Sequence, residues 1–143
     1  MGIPLPEPGL VLNYAYLWHD EHRAGHDEGR KDRPSVIVLC ATRAADQAVM
    51  VTVLPITHSP PGDSKSAVEI PQAIKQHLGL DEERSWIAVA EGNEFVWPGY
   101  DLRKVPKTDA YEYGFLPPRF FNQVRDAFLT LNKAGQAQST PRS

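Results

Sequence analysis

A chain of 143 residues fits one domain, since single hydrophobic cores commonly organise about 100 to 150 residues. Hydrophobic residues at 41% and charged residues at 23% exclude a disordered or fibrous chain, and a net charge of -3 excludes a protein that coats nucleic acid non-specifically, so any RNA contact must be local. The longest apolar runs, VIVLCA and VMVTVLPI, fall far short of the ~18 residues that span a bilayer, and the start MGIPLPEPGL lacks the features of a secretory signal. The expectation is a cytoplasmic protein with no membrane contact. Its single cysteine, Cys40, cannot form an internal disulfide and sits in an apolar run, as a structural thiol does.

Residues 9–18, GLVLNYAYLW, alternate roughly and are rich in β-branched and aromatic side chains, which predicts a first strand. The polar stretch 19–32 follows, a loop of about 14 residues and long enough to carry function. Residues 34–41 form a continuous apolar run entered by Pro34, and 48–56 form another after the turn TRAADQ; so short a connection makes an antiparallel hairpin. Thr57 to Ser66 is a Ser/Pro/Gly-rich surface loop, and Ala67 to Ile70 is short enough for an edge strand. From Pro71 a short helix is expected to end at Gly79, with Ala73, Ile74 and Leu78 on one face. Residues 85–90 and 94–97 read as two strand pieces around a Glu91-Gly92-Asn93 turn, and 101–105 as a last extended segment. The clearest helix runs from Pro117 or Pro118 through Asn132, with an apolar stripe of Phe120, Phe121, Val124, Phe128 and Leu131. Together these elements predict a mainly β fold with added helices: one domain over 1–133, and a polar tail, 134–143, expected to be disordered.

In chain order, Gly9 opens a strand, a glycine-containing loop closes on Arg33-Pro34 before VIVL, and the next strand ends in Pro55-Ile56-Thr57. This pattern resembles the MazF/PemK toxin family. SWIAVAEGNEFVW falls where that family has a strand with an acidic-polar pair, and YGFLPPRFFNQVRDAFLTL falls where it has its Gly-led C-terminal helix, so the resemblance spans about residues 8 to 133. It implies a small SH3-like antiparallel barrel with a short internal helix and a C-terminal helix. It further implies a homodimer that cleaves single-stranded RNA without a metal or other cofactor, and a growth inhibitor neutralised by a cognate antitoxin. The loop at 19–32 is longer and richer in histidines and acids than the commoner family pattern.

Cleaving RNA without a metal requires activation of the 2′-hydroxyl, stabilisation of the phosphorane and protonation of the leaving oxygen. The resemblance makes Arg33 and Thr57 the catalytic pair. A guanidinium suits charge growing on phosphate oxygens but is a poor base, while a hydroxyl can position the phosphate. His58 can take or give a proton near neutrality, but in an extended chain it points away from Thr57, so only a bend brings both to one phosphate. Candidate RNA-binding residues are Arg30, Lys31, Glu91, Asn93 and Trp97, with carboxylate and amide groups reading base edges and the indole stacking on a base. Trp18 is a similar rim candidate, whereas Trp86 reads as core. Most of the basic residues clustered at Arg23, Arg30, Lys31 and Arg33 and at Arg103, Lys104 and Lys107 read individually as solvated loop faces. His19, His22 and His26 fit no recognised zinc spacing, and no metal site is expected. Two other functions stay open: a non-catalytic RNA- or protein-binding module on the same scaffold, and a toxin acting on a protein target.

Overall fold

The computed structural model describes residues 3–18, 32–133 and 138–141. The fold is mainly β, as expected, with one nine-stranded sheet and two helices among the described residues. Strand β1 (Leu10–Tyr14) pairs antiparallel with β2 (Arg33–Thr42), and β2 pairs antiparallel with β3 (Val49–Thr57), which is the expected hairpin. Beyond β3 lie β4 (Ala67–Glu69), helix α1 (Gln72–Leu78), β5 (Trp86–Ala88) and β6 (Glu91–Val96). The chain ends with β7 (Leu102–Arg103), β8 (Glu112–Phe115), helix α2 (Pro118–Lys133) and β9 (Gln138–Pro141). No helix among the described residues is long and apolar enough to cross a membrane.

The central strands are buried on both faces, so their side chains alternate between two cores. Val11, Val36, Val38, Leu54 and Ile56 point one way and are covered by the α2 stripe of Phe120, Phe121, Val124, Phe128 and Leu131. Leu12, Tyr14, Ile37, Val51, Val53 and Phe95 form the second core on the other face. Helix α1 stops where Gly79 takes a left-handed conformation at φ 71°, which lets its N–H reach back to the last turn. The helix face differs from expectation: Leu78 is buried and Ile74 half-buried, but Ala73 is exposed and Lys75 takes a buried place.

Four other expectations are corrected. The sheet runs β4-β5-β3-β2-β1-β7, with β6 branching from β3 and β8 from β1; among the described residues no ladder joins its ends, so the expected barrel closure is not made. Glu91-Gly92-Asn93 is no turn but the start of β6, paired along β3. Glycine serves close approach there, since a Cβ at Gly92 would stand 3.1 Å from both Thr52 Cγ2 and the Val53 carbonyl. The extended segment expected last, at 101–105, is followed by another strand: residues 112–115 form β8 along β1, with a bulge that Gly114 accommodates at φ 129°. Finally, part of the supposed disordered tail forms β9, which lies parallel to β6 with Glu91 opposite Gln138 and Asn93 opposite Thr140. A free sheet edge offers unmet N–H and C=O groups, and a polar strand can satisfy them as well as an apolar one.

Candidate active site

The antiparallel register of the central hairpin sets Ser35 opposite Pro55, so Arg33 and Thr57, each two residues beyond that pair, lie at the same end of the hairpin. Both line a cavity of about 550 Å³, together with Trp18, His58, Asp81, Ser85 and Glu91. The cavity thus gathers Arg33, Thr57, His58 and Glu91 from three strands and the loop after β3.

The bend that His58 needs is present. Strand β3 ends at Thr57, and Thr57 Oγ1 accepts the Ser59 N–H at 3.1 Å, a local turn that redirects the chain at His58. Because that oxygen is accepting, the Thr57 hydroxyl hydrogen is available to a ligand. The His58 ring is half-exposed. Its Nε2 lies 2.7 Å from Asp81 Oδ2 and its Nδ1 3.3 Å from Glu83 Oε2. Asp81 Oδ1 in turn accepts from Lys75 Nζ at 2.7 Å. Burial pushes the Asp81 carboxyl up, but hydrogen bonds from Lys75 and His58 outweigh it and hold the group below the usual carboxylate range.

On the opposite wall, the Arg33 guanidinium carbon sits 5.0 Å from the Trp18 ring centroid, a cation–π contact that holds a planar cation against an aromatic face. Trp18 itself meets Tyr16 edge-on at 5.2 Å, and the Tyr16 hydroxyl donates to Glu91 Oε2 at 2.9 Å. Burial, and next the Glu91 charge, push the Tyr16 phenol well above its usual value, so it stays a donor to that carboxylate throughout the neutral range.

Asn93 and Trp97 are placed elsewhere. Asn93 is 0% exposed and is committed to the main chain of Leu17, accepting its N–H at 2.9 Å and donating to its carbonyl at 2.7 Å. Glu91 and Asn93 share a side of β6, but Glu91 reaches the cavity while Asn93 is enclosed by its bonds to the Leu17 main chain, where the chain has left β1. Trp97 is half-buried against the second core, stacked on Phe95 at 6.0 Å, and does not line the cavity. Trp18 takes the aromatic place in the cavity instead, and Trp86 is buried, as read from sequence. Arg30, Lys31, His19, His22 and His26 lie outside the described residues. Cys40 is half-buried, and burial raises its thiol above the usual value, which suits an unreactive group.

Sequence reasoning missed Lys75, Asp81 and Tyr16. Of these only Tyr16 left a sequence signal, as an aromatic residue two positions before Trp18 at the mouth of a long loop. No family model matches this chain, and none of the curated proteins or solved structures compared with it does.

Proposed function

We propose that the protein is a toxin-like endoribonuclease that cleaves single-stranded RNA without a metal, in the manner its sequence shares with the MazF/PemK family. The proposal includes a cytoplasmic location, a homodimeric working form and restraint by a cognate antitoxin. One observation carries it: Arg33, Thr57, His58 and Glu91, chosen as candidates from three separate segments, share one cavity with an aromatic wall at Trp18. That set contains a group for each demand of the chemistry.

The Glu91 carboxylate takes the proton of the 2′-hydroxyl, and the freed oxygen attacks phosphorus. The bond from phosphorus to the 5′-oxygen breaks, and protonated His58 gives that oxygen its proton. The products are a 2′,3′-cyclic phosphate and a 5′-hydroxyl, and solvent then takes the proton from Glu91 and returns one to His58. Arg33 offers its donor fork to the non-bridging oxygens as charge builds there, and the Thr57 hydroxyl donates to the same phosphate. A base unstacked from the strand can lie against Trp18. Mapping the ends left on an unstructured RNA tests this: a cyclic phosphate and a 5′-hydroxyl are expected, whereas a 5′-phosphate would overturn the assignment.

A second reading has an observation of its own. Asp32, Asp81 and Glu91 line the same cavity, so among its described residues carboxylates outnumber the single arginine. That balance favours a non-cutting module that takes a basic segment of a protein partner. Intact RNA, together with salt-sensitive binding of a basic peptide, would select it.

A further inference from the structure

Lys75 is a lysine on a seven-residue helix with only 1% of its surface exposed. Burying an ammonium is costly unless each of its hydrogens finds an acceptor. Here all three have one: Asp81 Oδ1 at 2.7 Å, Ser85 Oγ at 2.7 Å and the Glu83 carbonyl. These acceptors belong to the segment after α1, so the ammonium pins that segment to the helix. Asp81 carries this network to the cavity, which it lines. One carboxylate oxygen faces Lys75, and the other faces His58 Nε2 at 2.7 Å.

An ionised carboxylate only accepts, so His58 Nε2 must carry hydrogen in this contact. The Nδ1 side is looser, with its 3.3 Å neighbour Glu83 Oε2 on a side chain that is 73% exposed. A ligand can displace a side chain so exposed. We propose that Lys75 and Asp81 are positioning residues that fix the His58 imidazole with Nε2 protonated, leaving Nδ1 as the nitrogen that exchanges a proton with the substrate. The role rests on the cavity being an RNA-cleaving site. The arrangement places a buried cation behind a carboxylate behind an imidazole, so the ring is oriented by the protein interior although it stands half in solvent.

The test compares the wild-type chain with Asp81→Ala, at a half-exposed position, and Lys75→Met, which keeps the side-chain length and removes the charge. Nitrogen-resolved NMR of the His58 ring is expected to show a protected Nε2–H proton in the wild type and to lose it in both variants. On an unstructured RNA, kcat should fall by at least about tenfold, part of the ~10²–10⁴-fold that general acid–base groups supply, with KM little changed. In a His58→Ala background, Asp81→Ala should cost nothing more. A protected Nε2–H proton that survives Asp81→Ala would overturn the proposal, as would an equal loss of rate with or without His58. Should Lys75→Met fail to fold, Ser85→Ala removes one partner of the ammonium, and a weakened Nε2–H signal is expected there; an unchanged signal counts against Lys75. RNA left uncut by the wild type would defeat the nuclease reading, while the NMR comparison would still decide how His58 is held.

Discussion

Asn93→Ala separates a structural role from a base-reading one. The Asn93 side chain, 0% exposed, satisfies both the N–H and the carbonyl of Leu17, a residue itself 1% exposed. Alanine leaves two buried main-chain groups without these partners. At roughly 1–3 kcal/mol for each stranded group, and with partial relief as water enters the space, the loss comes to about 2–4 kcal/mol. For a chain of this size about 3 °C of melting temperature accompanies each kcal/mol, so the midpoint should fall by roughly 6–12 °C. Thermal melts followed by circular dichroism, with urea unfolding at unchanged m, measure this directly. Because Leu17 precedes Trp18 on the cavity wall, RNA cleavage should weaken alongside stability and recover in part on cooling. A midpoint shifted by less than about 2 °C, with RNA affinity lost, would refute the reasoning and make Asn93 a group that contacts the nucleic acid.

Phe128 is 2% exposed at the centre of the α2 stripe, and Phe128→Ala should cost about 3–5 kcal/mol in urea unfolding, whereas truncating exposed Tyr100 should cost less than about 0.5 kcal/mol. Asp81 supplies a pH dependence. Its carboxyl is held below the unfolded-chain value of 3.8, so the stabilisation is present above that pH and is lost as pH falls through the folded-state value. Melting temperature followed from neutral pH into acid should therefore drop more steeply for the wild type than for Asp81→Asn, and parallel curves would contradict the Lys75–Asp81–His58 geometry.

Much of the fold was legible because its main signals are periodic and local. The two apolar runs joined by TRAADQ pair as a hairpin, and the register of that hairpin sets Arg33 and Thr57 at the same end of it. The α2 stripe was equally readable, since residues spaced by three and four must share a face and all five named positions are buried. Lys75 was not legible. A lysine in a short helix reads as solvent-facing, and only acceptors supplied by Asp81, Glu83 and Ser85, beyond the end of the helix, make its burial tolerable. Strand β9 escaped for a related reason, because its place depends on an open edge of β6 rather than on apolar side chains of its own. Glu91 and Asn93 were chosen together as a polar pair in a turn. As residues two apart in a strand they share a side of β6, yet Glu91 opens to the cavity while Asn93 is closed over by Leu17.

The measurement that bears most directly on the central claim is the cleavage of a long unstructured RNA by purified protein in excess chelator, with Arg33→Ala assayed in parallel. Cutting by the wild type that persists in chelator, and that falls by at least about 10²-fold in Arg33→Ala, is the predicted result. Intact RNA with the wild type, or equal cutting by the two proteins, would contradict it.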